Sequence, residues 1–410
     1  MSKENTYICI NCGASFTDKG VHYICKECAL ENKEGQALKG VLKVVYPYSE
    51  IKKKLVLQAD YLVKSDYLDL LPIESLSSLP PLLVGKTPLY TSEQSLEDRG
   101  SFSLHLKVES SNPTFSFKDR ASALVSAFAK ENGIHTIVAA STGNAGSSLA
   151  GICASQNQKA IIFVPENAPK AKLTQVLMYG AKLIPVKGNY DDAYDLSLKI
   201  TEKYGLYNRN TAFNPMTIEG KKTVAFELFE QMNEMPDKIF VPVGDGVIIS
   251  GLYKGFEDLL RLDLIKKIPE IIAVQAEGSS NLINNLDSDN LNFEVASTVA
   301  DSISVDIPRN FYMAKDFLLR YGGKGVKVSD IEIIKASGHL ASQFGLFVEP
   351  AAAAAYAGIC KFKHESKIVR NENVVVLLTG NGLKDIDTVS GSLDFPDAID
   401  IDTFDFEQII

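Results

Sequence analysis

TIVAASTGNAGSSLAGICASQNQKAIIFVPENAPKAKLTQVLMYGAKLIPV, residues 136–186, alternates short apolar runs with longer helical ones. TIVAA, AIIFVP and KLIPV are strand-sized and apolar on both faces, and the stretches between them carry helical spacing. Fully apolar strands alternating with helices are the pattern of a parallel sheet covered on both sides. The alternation continues outward, with SLHLKV before this stretch and IFVPV, IIAVQA and VVVLL after it. So many strands exceed one comfortable sheet, which predicts an α/β body of two lobes over residues 85–390.

The remaining segments differ in composition. Residues 31–84, punctuated by Pro47, Pro72, Pro80 and Pro81, read as a linker packed along the body, and residues 391–410 as an acidic tail. Of 410 residues, 45% are hydrophobic, ample to bury a large core. A formal charge of −9 excludes a global attraction for nucleic acid or an anionic membrane, so any bound anion needs a local site. No run approaches the ~20 apolar residues of a spanning helix. GLFVEPAAAAAYAGIC is broken by Glu349 and Pro350 and reads as a loop followed by a buried helix. MSKENTYICINC carries no signal-peptide pattern, and the expected location is the cytoplasm.

Residues 1–30 form a unit of their own. Cys9 and Cys12, then twelve residues, then Cys25 and Cys28 give the spacing of a zinc ribbon, with Gly13 in the turn after the first pair. A closed structural zinc on these four thiolates is expected, with His22 unnecessary as a ligand. A metal-free or redox-active pair of CxxC motifs is the alternative. Cys153 and Cys360 sit on apolar helical patterns and read as packing residues.

Four strand-to-helix stretches carry chemistry. In ESSNPTFSFKDR, residues 109–120, Lys118 opens a helical pattern. Burial and the helix dipole together lower a lysine pKa there, as a Schiff-base nucleophile requires. Taken alone, an exposed lysine at a helix start accounts better for this segment. In AASTGNAGSSLAG, residues 139–151, Ser141, Thr142, Gly143 and Asn144 form a turn whose amides suit a carboxylate. In IFVPVGDGVIISGLYKGF, residues 239–256, Gly244, Asp245, Gly246, Val247 and Ile248 form a glycine loop suited to a phosphate. It matches neither the nucleotide P-loop nor GxGxxG, and Asp245 must point away from any phosphate. VVVLLTGNGLKD, residues 374–385, ends its strand on Thr379, a hydroxyl able to bond a pyridine nitrogen.

In this order the four stretches resemble the fold-type II pyridoxal-phosphate (PLP) enzymes, threonine synthases most closely, over roughly residues 85–385. VEPAAAAAYAG matches that family's late Glu-Pro-Ala helix start. The resemblance implies a two-lobed PLP fold with a zinc-ribbon-like extension, a small amino-acid substrate and a possible homodimer. It makes Lys118 the Schiff-base lysine that moves protons at Cα and Cβ, with Asn144 on the cofactor's ring hydroxyl. It places Gly244, Asp245, Gly246, Val247 and Ile248 around the cofactor phosphate, and Thr379 at the ring nitrogen. Ser141, Thr142, Asn144, Thr217 and Lys221 fall to the substrate. A neutral hydroxyl at the ring nitrogen suits elimination and replacement better than transamination. A protein that binds cofactor or zinc without turnover would not need Lys118, Asn144 and Thr379 together.

The pattern departs from the family at two places. Phe115 stands where threonine synthases commonly have glycine. Thr211, Ala212 and Thr217 stand where they have the Asn, Ser and Arg that grip a substrate phosphate, and losing such an Arg is not conservative. Arg209, Lys221 or Lys222 can substitute, or the substrate carries no phosphate. Two activities follow: O-phosphohomoserine to threonine and phosphate, or ammonia-lyase action on threonine, serine or a diamino acid. Glu219 and Glu277 fall near the expected site, with packing or salt bridging as an equal alternative. The five histidines form no spacing motif.

Overall fold

The structure is a computed structural model, and it describes residues 5–399 except 19, 34, 97–99, 289, 290 and 392. The end of the expected acidic tail, residues 400–410, lies outside the described residues. The strands, in chain order, begin with β1 (Asn5–Cys9), β2 (Ser15–Asp18), β3 (Leu42–Val45), β4 (Leu89–Ser95) and β5 (Ser101–Val108). Next come β6 (Thr136–Ala140), β7 (Lys159–Pro165), β8 (Lys182–Val186) and β9 (Tyr207–Asn208). The last four are β10 (Lys238–Pro242), β11 (Glu270–Ala276), β12 (Lys324–Val328) and β13 (Asn373–Leu378).

Two lobes emerge, as the alternation predicts. The smaller holds the parallel order β8-β7-β6-β9, and the larger holds β12-β11-β10-β13-β5-β4. The chain enters the large lobe, crosses to build the small one, and returns. The large sheet is mixed rather than purely parallel, because β4 runs antiparallel to β5 at the edge. Neither β4 nor β12 shows as an apolar run, since edge strands bury one face at most. The central β10 is buried throughout, with Ile239 and Val241 facing one core and Phe240 the other. Ala351–Ala355 open the helix Pro350–His364, whose small side chains let it lie close on this sheet.

The N-terminal unit reaches further than residue 30. Its three-stranded antiparallel sheet, β2-β1-β3, takes β3 from the stretch expected as a linker. Ile51, Leu62, Leu70, Leu71 and Ile73 of that stretch are buried in the main core. This stretch thus packs into the core and adds a strand to the N-terminal sheet, its apolar residues between the prolines being spaced to pack. Among the described residues, no helix is long and apolar enough to cross a membrane.

Candidate active site

The carboxyl ends of β6 and β10 face each other across the lobes, and a cavity of about 350 Å³ lies between them. Its walls are the turn Ser141–Asn144, the glycine loop Gly244–Ile248, the segment 301–309 and the helix start at Tyr190, with Lys118 and Lys221 entering it. This is the strand-end crevice where open α/β folds place ligands.

Lys118 opens the helix Lys118–Glu131. The segment before it is pinned, because Phe117 N–H donates to the Thr379 carbonyl at 2.8 Å and Asn381 N–H to that of Phe115 at 3.1 Å. Asp119 closes the turn from below, accepting from Thr114 N–H at 2.7 Å and its hydroxyl at 2.5 Å. Phe115 adopts φ +70°, a left-handed backbone that glycine takes without strain, while bearing a half-exposed ring. Desolvation lowers the Lys118 pKa. Glu349 and Asp245 oppose this, and Arg209 adds to it.

Asn144 is the first residue of its helix, and its side-chain amide donates to both oxygens of Glu349, at 3.0 and 2.9 Å, and to Ser302 at 3.1 Å. Glu349 is buried, and that burial raises its carboxyl pKa against the pull of Asn144 and Lys118. The glycine loop turns through Gly246 at φ +84° into the helix Val247–Arg261, which leaves the amides of its first turn free of helical partners. A Cβ on Gly244 would lie 3.0 Å from the Ile303 Cα, so the loop passes tight against the segment 301–309. Asp245 accepts from Arg309 N–H at 3.4 Å, a contact that holds its carboxylate by the backbone of segment 301–309.

Two cations beside the cavity stand out. Lys221 Nζ and Arg209 Nη2 are buried and have no hydrogen-bond partner among the described residues. Burial drives the Lys221 ammonium well below the ordinary lysine value, with Arg209 and Lys118 repelling it further. Burial likewise takes Arg209 down to about 10. Buried donors without acceptors are costly and call for an anion. Lys222 is excluded from that role, since it pairs with Glu219 and Asp258 at 2.5 and 2.8 Å.

The expected site residues therefore divide. Lys118, Ser141, Thr142, Asn144, Lys221 and Gly244–Ile248 line one cavity. Thr379 lies behind Lys118, tied to it through Phe117, and is not among the lining residues. Thr217 is not among the lining residues, and its buried hydroxyl donates to the Asn214 carbonyl at 2.7 Å. Glu349, Ser302 and Arg309 were missed. Only Glu349 carried a signal, as the residue before the late Pro-Ala helix start. Two ion pairs join the lobes at the mouth, Lys172–Asp301 at 2.7 Å and Arg309–Asp191. Glu277 is exposed, 4.0 Å from Lys361.

Glycine-loop amides at a helix start, a lysine with a lowered pKa and an amide fixed by a carboxylate suit a phosphorylated pyridine aldehyde. The pyridoxal-phosphate dependent enzyme family matches this chain over residues 81–380. The chain belongs to that family. Threonine synthase of Methanocaldococcus jannaschii is 35% identical over 98% of each chain. That of Methanosarcina acetivorans is 35% identical over 96% of this chain and 95% of its own. Among solved structures, threonine deaminase isoform 2 of Solanum lycopersicum aligns with a TM-score of 0.66 at 23% identity, covering 83% of this chain and 92% of its own. Maize serine racemase aligns at 0.63 and 24% identity, over 75% and 91%. These two share the fold. This pyridoxal-phosphate enzyme is a lyase.

In the N-terminal unit of the enzyme, the sulfurs of Cys9, Cys12, Cys25 and Cys28 lie within 4.8 Å of one another. The Cys9–Cys28 and Cys12–Cys25 separations are 3.7 and 3.8 Å. A tetrahedron with metal–sulfur bonds of about 2.3 Å has edges of about 3.8 Å, so the cluster could hold such a metal. His22 packs on Tyr7 and Phe16 instead.

Proposed function

We propose that the enzyme converts O-phosphohomoserine and water into threonine and phosphate. One observation carries the choice of a phosphorylated substrate: Lys221 Nζ and Arg209 Nη2, buried beside the cavity with no acceptor among the described residues. The near full-length likeness to threonine synthases supports the same reading.

The cofactor, when bound, supplies the electron sink that stabilises carbanions at Cα and Cβ of an amino acid. The chain's residues do the rest. The turn Ser141–Asn144 holds the substrate carboxylate on backbone amides and hydroxyls, the arrangement that suits a helix start. Glu349 fixes the Asn144 amide, which would meet the cofactor's ring hydroxyl. Gly244, Gly246, Val247 and Ile248 would offer amides to the cofactor phosphate, and Thr379, set behind Lys118, would serve the ring nitrogen. Lys118 takes protons from Cα and Cβ and returns them at Cα and Cγ. The Cγ–O bond breaks with its electron pair passing to the phosphate, which Lys221 and Arg209 stabilise as charge develops. Water supplies the Cβ hydroxyl, and its other proton leaves with the phosphate.

A second reading rests on Thr211, Ala212 and Thr217, which stand where the family grips phosphate. In it, threonine or a similar amino acid loses its β-substituent and ammonia, giving a 2-oxo acid. Supplying phosphohomoserine and assaying phosphate and threonine, then supplying threonine and assaying 2-oxobutyrate, separates the two. Strong 2-oxobutyrate formation without phosphate release would overturn the first.

The four-cysteine cluster binds one structural zinc. A shell of four thiolates is closed, leaving no position for a reacting water.

A further inference from the structure

The N-terminal sheet meets the catalytic body through buried charge. Glu219, Lys222, Lys254 and Asp258 are all 0% exposed. Lys222 pairs with Glu219 and Asp258, and Lys254 with Asp258. Two positive and two negative groups balance, yet their polar atoms still need partners in a dry interior. The N-terminal segment supplies two of these partners. Tyr46 O–H donates to Glu219 at 2.5 Å, and Tyr48 O–H donates to Asp258 at 2.6 Å. The Tyr46 ring also lies 4.0 Å from the Lys222 ammonium and 4.9 Å from that of Lys254. Lys43 adds an ion pair to Glu257 at 2.8 Å.

The acids belong to elements that build the cavity. Glu219 sits in the helix Met216–Lys221, two residues before Lys221. Glu257 and Asp258 sit in the helix that starts at the glycine loop. These helices touch at glycines: a Cβ on Gly251 would lie 2.6 Å from the Lys221 Cβ, and one on Gly255 2.4 Å from the Lys222 carbonyl. At such close approach, a small shift of one helix moves Lys221 against the phosphate-binding amides. On the other side, β3 is registered on β1, with Leu42 opposite Cys9 and Lys43 opposite Ile8. Tyr46 and Tyr48 therefore extend from a strand held beside the cysteine cluster.

We propose that Tyr46 and Tyr48 are positioning residues for the active site. Through them the N-terminal sheet sets the spacing between the Lys221 helix and the glycine-loop helix. This inference needs only that the glycine loop binds the cofactor phosphate, and it is independent of which amino acid reacts.

The test is the cofactor dissociation constant of the full-length enzyme, with hydrogen exchange over residues 216–221 and 244–252. Tyr46→Phe keeps the ring and removes one hydrogen bond to a charged partner, and Tyr48→Phe is the milder version at a half-buried site. Each should weaken cofactor binding roughly fivefold to tenfold and speed exchange in both segments. Two controls lie in the same segment. Lys52→Ala removes an exposed pair with Asp263, and Ile51→Val trims a buried packing residue without touching a hydroxyl. Both should bind cofactor as the parent does. Unchanged cofactor affinity in folded Tyr46→Phe and Tyr48→Phe would overturn the proposal. An equal loss in Ile51→Val would also overturn it, because general loosening would then explain the effect.

Discussion

The side-chain amide of Asn144 is held by both carboxylate oxygens of Glu349, 205 residues away in sequence, at 3.0 and 2.9 Å. Burial keeps the Glu349 carboxyl pKa above its ordinary value. An acid raised in this way binds more protons folded than unfolded above about pH 4.3, so its contribution to stability falls as pH rises through that window. Glu349→Gln should therefore gain stability relative to the parent on going from about pH 4 to about pH 8. Denaturant midpoints across that range check it. Activity should fall about tenfold to a hundredfold, because Asn144 loses its charged partner.

Lys221→Met is expected to separate folding from function. The unpartnered ammonium opposes folding, and its depressed pKa means that the parent gains stability as pH rises toward the ordinary lysine value. Methionine fills a similar volume without charge, so stability near neutral pH should rise by about 2 kcal/mol. Turnover of phosphohomoserine should fall at least about a hundredfold in kcat/KM, with cofactor affinity retained. Unchanged turnover would remove Lys221 from the anion site.

Metal analysis of enzyme purified without chelator should find one zinc per chain. Cys28→Ser should abolish it and lower the thermal midpoint, because binding at a structural site is folding free energy. Retained stability in the metal-free protein would make the cluster a pair of thiol motifs instead.

Phe115 gives a backbone test. At φ +70° a side chain costs about 1–2 kcal/mol, whereas glycine adds about 0.5–1 kcal/mol of unfolded-state entropy. Phe115→Gly should thus change stability by less than about 1 kcal/mol, while the β-branched Phe115→Val should lose about 1–2 kcal/mol. Equilibrium unfolding of both variants decides this.

What the sequence disclosed follows the range of the forces involved. Lys118, the Ser141–Asn144 turn and the glycine loop were legible because strand-to-helix junctions are local patterns. Their order then carried the family resemblance. Glu349 against Asn144 and Arg309 against Asp191 were not legible, since such contacts depend on how the lobes close. The Thr217 hydroxyl bond to Asn214 was likewise not legible, since sequence position does not show where a hydroxyl will turn. The N-terminal sheet was half visible. Its cysteines were plain, but LKVV reads as a strand only once β1 is there to pair with it.

The order of pairing in the large lobe bears on biosynthesis. β5 is paired with β4 and with β13, which begins at residue 373. The strands of the small lobe all lie between residues 136 and 208 and can pair while the rest of the chain is still being made. β5 must wait with one edge bare until nearly the whole chain has left the ribosome. The segment that anchors Lys118 waits with it, since Phe117 bonds to Thr379 just past β13. A nascent chain stopped short of β13 would carry a finished small lobe, an exposed strand edge and no completed seat for its lysine.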